Sequence, residues 1–236
     1  MKTKIDESFL YDTIQETLRR IPQPSEMVMK RISWGSCETL FTPAYWKLQY
    51  HLDHAEEDFS INHRLSDCIY EEIVGCMLGL YEFQCEYRTE IFYRITHMGS
   101  KNWFRGNTVL NLILSIFPKF PTKRMQYITE LISDKDSLHL TIDDDLKLRS
   151  QLLQVNGIGW KNASWITRNF LDSEKVVVLD SNVIKACFKM GLYEGLKNRS
   201  SDYLRMEETF IEFCRILDVI PSKMCSIMND HVRTLK

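Results

Sequence analysis

The sequence has no apolar run approaching the roughly 18 residues that a membrane-spanning helix needs. Its first residues, MKTKIDESFL, lack the apolar core of a secretory signal. The expectation is a soluble chain inside the cell. No C-x-x-C pair occurs among the seven cysteines, which are odd in number and scattered. A disulfide framework is therefore not encoded, and a reducing compartment is favoured. His51, His54 and His63 read as a solvated helix face, not as zinc ligands. Excess positive charge is missing too: 30 Lys and Arg stand against 32 Asp and Glu, for a net charge of −2. Total charge thus gives no nucleic-acid signature, although a local basic face is all such a partner needs. Internal repeats and low-complexity segments are absent. What is present is 236 residues, 44% apolar and 26% charged, enough to bury a core in one or two bodies.

The most informative stretch runs from Leu152 to Met190. Asn156-Gly157-Ile158-Gly159 interrupts a helical pattern, since glycine costs about 1 kcal/mol per helical position. Glycine also takes positive φ and lets a second backbone come close. One helix therefore stops near Val155 and another starts near Trp160. The first N–H groups of the second helix have no partner inside it. With the positive end of the helix dipole behind them, they make a seat for a phosphate. An ordinary helix connection uses the same residues. Lys161 stands in the first turn, unfavourable for a cation by roughly 0.3–1 kcal/mol. As a free amine it is a nucleophile able to form a Schiff base with a sugar carbon; as a cation it faces solvent or holds a phosphate.

Val176-Val177-Val178-Leu179 is strand-like by propensity. With no evident partner, it reads as an extended lead-in to Asp180. That aspartate is a preferred N-cap for the helix Ser181–Met190. The apolar lead-in also desolvates it in part, and near an amine it could accept a proton or stabilise a developing cation.

This arrangement resembles the HhH-GPD superfamily of DNA glycosylases. Nineteen positions separate Lys161 from Asp180, which is similar to the lysine-bearing 8-oxoguanine DNA glycosylase/lyases. The pattern is most similar to their compact archaeal-type family, whose hairpin reads G-I-G-x-K-x-A-S-x-x-x-R-N. Here Gly157-Ile158-Gly159-Trp160-Lys161-Asn162-Ala163-Ser164 is followed by Arg168-Asn169. Phe120–Ile128 resembles the segment upstream of the family's hairpin, and the resemblance spans about residues 65–190. It implies an all-α helix–hairpin–helix glycosylase fold, with two helical subdomains and a cleft between them. Residues 1–236 would form a single glycosylase domain. One subdomain, about 60–185, would carry the hairpin at 145–171; residues 1–60 and 186–236 would form the other.

The resemblance further implies catalysis by Lys161 and Asp180, and DNA binding by Gly157, Ile158, Gly159, Trp160, Asn162 and Lys185. The implied partner is double-stranded DNA containing a damaged or modified base, bound by a monomer with no membrane association in the cytoplasm. Some superfamily members hold an iron–sulfur cluster on four closely spaced cysteines. Cys187, Cys214 and Cys225 are too few and too widely spaced, so neither cofactor nor metal is expected. The loop Gly79–Cys85 departs from the family's small polar residues, with Leu80, Tyr81, Phe83 and Gln84. That departure bears on the opposing base and the substrate. The alternatives are a glycosylase for another damaged or hypermodified base, and a non-catalytic hairpin module that binds DNA.

Elsewhere the periodicity predicts helices over 1–20, 65–80, 86–97, 110–117, 125–133, 146–155, 202–217 and 222–235. Prolines 22, 24, 118 and 121 break the pattern. Trp34, Phe41, Tyr45, Trp46 and Tyr50 read mainly as core, with one of them a candidate stacking partner for a flipped base. The loop Gly99–Gly106, with Trp103 and Phe104, reads mainly as a core-anchored loop and alternatively as a wedge into the duplex. Two basic groups stand out: Lys161, Lys175, Lys185, Lys189, Lys197 and Arg199; and Lys119, Lys123 and Arg124.

Overall fold

In the computed structural model the described residues are 7–54, 64–80, 90–94, 108–117 and 121–235. The Gly99–Gly106 loop, most of the Gly79–Cys85 loop, His63, Lys119 and Phe120 lie outside them. The chain divides into two compact units, one of residues 62–175 and one of 1–61 with 176–236.

The first of these units holds the hairpin. Helix α3 (Ile69–Met77) starts later than the apolar pattern suggests. The reason is Glu72, fully buried, whose carboxylate accepts the N–H groups of Leu65 (2.9 Å) and Ser66 (3.2 Å) and holds that segment out of the helix. Next come α4 (Thr108–Ile116), α5 (Thr122–Asp134), α6 (Asp145–Leu152) and α7 (Trp160–Leu171). Pro121 precedes α5, and Asp144 caps α6 by accepting the Lys147 N–H at 3.0 Å. Residues 90–94 are also helical. Ile73, Ile113, Ile128, Leu148, Leu152 and Ile166 are fully buried in one apolar cluster. Each such side chain contributes roughly 1.5–3 kcal/mol.

The other unit begins with α1 (Glu7–Arg20), whose last turn carries Arg19 and Arg20 at the end that favours cations. A two-stranded antiparallel hairpin follows, β1 (Met27–Met29) with β2 (Ile32–Ser33), turning at Arg31 with φ +72°. The hydrophobic pattern gives no sign of it, because strands this short show no periodicity. Helix α2 (Pro43–His54) has proline at its first position, and the Thr42 hydroxyl accepts the Tyr45 N–H at 3.1 Å. Trp34, Trp46 and Tyr50 are core residues; Phe41 and Tyr45 are half-buried. The unit closes with α8 (Ser181–Met190), a 3-10 turn at Ser200–Asp202, α9 (Tyr203–Leu217) and α10 (Pro221–Thr234). Helix α10 packs on α2, α8 and α9.

Val176–Leu179 is buried throughout yet joins no sheet. Side chains of α9 stand in for a partner strand. The Val177 N–H donates to Glu207 Oε1 (2.8 Å), the Tyr203 hydroxyl donates to the Val177 carbonyl (2.9 Å), and the Leu179 N–H donates to the same hydroxyl (3.3 Å). Tyr203 and Glu207 are four apart and so share one face of α9.

Candidate active site

The two hairpin glycines do different work. Gly157 has φ +87°, a conformation open to glycine at little cost. A Cβ there would overlap the Tyr127 ring, with ring carbons Cγ and Cε2 at 3.0 Å. Gly159 is extended, with φ −102° and ψ −179°, and a Cβ there would meet nothing within 4 Å. Gly157 is thus set by the turn, while Gly159 borders open space. Between them Ile158 is 6% exposed and pins the turn to the core.

Gly159 is the N-cap residue of α7, and the helix start has no side-chain cap bond. Trp160, Lys161 and Asn162 form its first turn, all half-buried. Below them the buried Arg149 places its guanidinium carbon 5.6 Å from the Trp160 ring centroid and donates to Ser164 Oγ at 3.4 Å. The Lys161 amine lies 5.6 Å from the centroid of the Trp165 ring, one turn on. Among the described residues of its unit, no carboxylate pairs with that amine. The Arg168-Asn169 pair from the sequence motif is buried, with Arg168 donating twice to Asn169 Oδ1, both at 3.1 Å.

Asp180 heads α8 in the other unit. Its Oδ1 accepts the N–H groups of Asn182 and Val183, each at 2.8 Å, so the N-cap reading is correct as far as it goes. Both bonds fall on one oxygen, and Oδ2 takes no part in the cap. Asn182 Nδ2 donates to Asn229 Oδ1 of α10 at 2.8 Å, which fixes the first turn of α8. On α10 the Asp230 carboxyl is pushed above its ordinary range, chiefly by partial burial. Arg233 and His231 oppose the shift and the nearby charge of Asp180 adds to it. Lys185 is exposed on α8, and Lys189 places its amine 4.4 Å from the Phe41 ring centroid.

Gly157, Gly159 and the half-buried first turn Trp160–Asn162 line the start of α7, whereas the Ile158 side chain is buried and its N–H donates to the Val155 carbonyl at 3.0 Å; Asp180 and Lys185 belong to α8. Sequence reasoning missed the supports: Tyr127 against Gly157, Tyr203 and Glu207 under the lead-in, and Asn229 on α10. The i, i+4 spacing of Tyr203 and Glu207 is visible in the sequence, but their target is a strand-like segment nearly thirty residues earlier. Cys187, Cys214 and Cys225 are buried; burial pushes the Cys187 thiol up to about 12 and the Cys214 thiol well above its ordinary value. Among the described residues no group of three or more His, Cys, Asp or Glu is gathered to hold a metal, and no helix is long and apolar enough to cross a membrane.

Comparison with known proteins addresses the chain at two levels. No curated protein sequence matches it significantly. The crystal structure of the 8-oxoguanine DNA glycosylase of Thermotoga maritima has the same fold, with a TM-score of 0.53 at 19% identity over 95% of this chain and 97% of that one. A helix–hairpin–helix family model described as 8-oxoguanine DNA glycosylase matches residues 52–219, which takes in α7, Lys161 and Asp180. The chain belongs to the helix–hairpin–helix 8-oxoguanine DNA glycosylase family.

Proposed function

We propose that this DNA glycosylase removes an oxidised purine such as 8-oxoguanine from double-stranded DNA and then nicks the strand as a β-lyase. The observation that carries the reading is the start of α7: an uncapped helix N-terminus, clear space at Gly159, and an amine in the first turn. An uncapped N-terminus with open space before it suits a phosphate.

A base within a duplex hides its sugar carbon, so the nucleotide is first extruded at a cost of a few kcal/mol. The hairpin N–H groups hold the backbone beside the lesion, with Lys185 as a further cation. Lys161, as the free amine, attacks C1′. The glycosidic bond breaks, and the base leaves with its electron pair and takes up a proton. The sugar ring opens as the amine loses its proton, giving a Schiff base. Asp180 accepts the amine proton or stabilises positive charge on the sugar. Removal of a C2′ proton then expels the 3′ phosphate by β-elimination. The amine and carboxylate carry this sequence with no metal or cofactor. The protein acts as a monomer in the cytoplasm, with the nucleoid if the source is prokaryotic.

The test is borohydride reduction on a duplex containing 8-oxoguanine. A covalent protein–DNA adduct is expected from the wild type and none from Lys161→Gln. Equal adduct from both removes Lys161 as the nucleophile. Leu80 and the residues after it in the Gly79–Cys85 loop favour a second reading, in which another modified base is the target. Release of such a base from a duplex panel, with 8-oxoguanine untouched, would establish it.

A further inference from the structure

Most of the Phe120–Ile128 motif, from Thr122 onward, lies on α5. Lys123, Tyr127 and Glu130 are four and three apart on α5 and share one face. That face meets the hairpin at two points. The Tyr127 ring lies so close to Gly157 that a Cβ there would overlap it. Asn156 Nδ2 donates to Glu130 Oε2 at 3.0 Å, and Glu130 Oε1 accepts from Gln126 Nε2 at 2.9 Å. The carboxylate is thus held at both oxygens, and the residue before Gly157 is tied to it. Lys123 is exposed, with its amine 5.9 Å from the centroid of the ring that abuts Gly157. No acid is present in the first turn of α5, where Arg124 follows Lys123.

We propose that this face of α5 is a second wall of the DNA-backbone seat. Tyr127 and Glu130 are positioning residues that hold the hairpin turn in its binding shape. Lys123 contacts a phosphate beside the one taken by the α7 N–H groups. The inference rests on the DNA-binding reading of the hairpin and adds to it a residue on a different helix.

The physical basis is preorganisation. A turn that flexes must be ordered on binding, and that ordering weakens affinity. Fixing Asn156 and Gly157 from α5 removes the penalty before DNA arrives. A phosphate contact by a lysine adds counterion release, so it registers in the salt dependence and not only in the affinity.

The experiment measures binding of the full chain to a fluorescent duplex carrying a tetrahydrofuran abasic analogue, across a range of salt. Lys123→Gln, an exposed change that leaves the core intact, is expected to weaken binding and to lower the slope of log K against log salt by about 0.9. Tyr127→Leu is expected to weaken binding severalfold. Tyr127→Phe, which keeps the ring, is expected to restore the affinity. An unchanged salt slope in Lys123→Gln overturns the phosphate contact. Wild-type affinity in Tyr127→Leu, or a Tyr127→Phe that binds no better than Tyr127→Leu, overturns the positioning role. Failure of the wild type itself to bind the duplex overturns the functional reading, and this proposal with it.

Discussion

Two helix starts, one in each unit, are finished in opposite ways. Helix α8 is closed: Asp180 satisfies two of its first N–H groups, and Asn229 steadies the turn that follows. Helix α7 has no side-chain cap, and the glycine before it faces open space. A glycine N-cap such as Gly159 is only a few tenths of a kcal/mol less favourable than Asp or Asn, so leaving this helix start without a side-chain cap costs little. A glycine at the α7 start makes sense if the capping group comes from outside the protein. At α8 both cap bonds fall on one oxygen of Asp180, and the proposed chemistry uses the other.

The largest effect is expected for Lys161→Gln, which should lower base release at least about a thousandfold, or ~4 kcal/mol in the barrier, with folding unchanged. Single-turnover release and thermal unfolding measure the two quantities. At α8, Asp180→Asn separates capping from catalysis, because asparagine caps as well as aspartate. Base release should fall about 10²–10⁴-fold with melting temperature unchanged. Asp180→Ala should lose the same activity and about 1 kcal/mol of stability as well. If Asp180→Asn retains full base release, the acid is a cap and nothing more.

Between the glycines the expected effects divide the other way. Gly157→Ala should destabilise the hairpin unit by about 2 kcal/mol or more, from positive φ and overlap with Tyr127, as read by denaturant unfolding. Under the lead-in to Asp180, Glu207→Leu leaves the Val177 N–H buried without its acceptor, at a cost of about 1–3 kcal/mol visible in the same unfolding curves. The smallest effect on folding is expected for Gly159→Ala, within about 0.5 kcal/mol of wild type. Its affinity for duplex DNA should nevertheless drop, because the added methyl intrudes where the backbone approaches. Unchanged affinity in Gly159→Ala would remove the hairpin from the binding surface.

The same contrast shows what a sequence can tell. Two glycines around one apolar residue announce a turn between helices, because they cannot continue one. Their division of labour is not legible, since it depends on Tyr127, thirty positions earlier, lying against one glycine and not the other. Asp180 was legible as a cap from its place before a helix. That it caps through one oxygen is a matter of rotamer. Val176–Leu179 has the composition of a strand, yet Tyr203 and Glu207 supply its hydrogen bonds. Propensity describes the backbone shape and is silent about who satisfies it. Glu72 shortens α3 in the same manner, by offering the preceding N–H groups a carboxylate in place of a helical turn. Apolar periodicity cannot register a buried acid that acts on its neighbours' backbone.

The central claim is that the amine at the open helix start becomes covalently joined to the sugar. Peptide mapping of the borohydride-reduced adduct tests it most directly. Protein reacted with an 8-oxoguanine duplex, reduced, digested and analysed by mass spectrometry should carry the deoxyribose remnant on Lys161. A remnant on Lys175, Lys185 or the N-terminal amine, with Lys161 unmodified, would contradict the account.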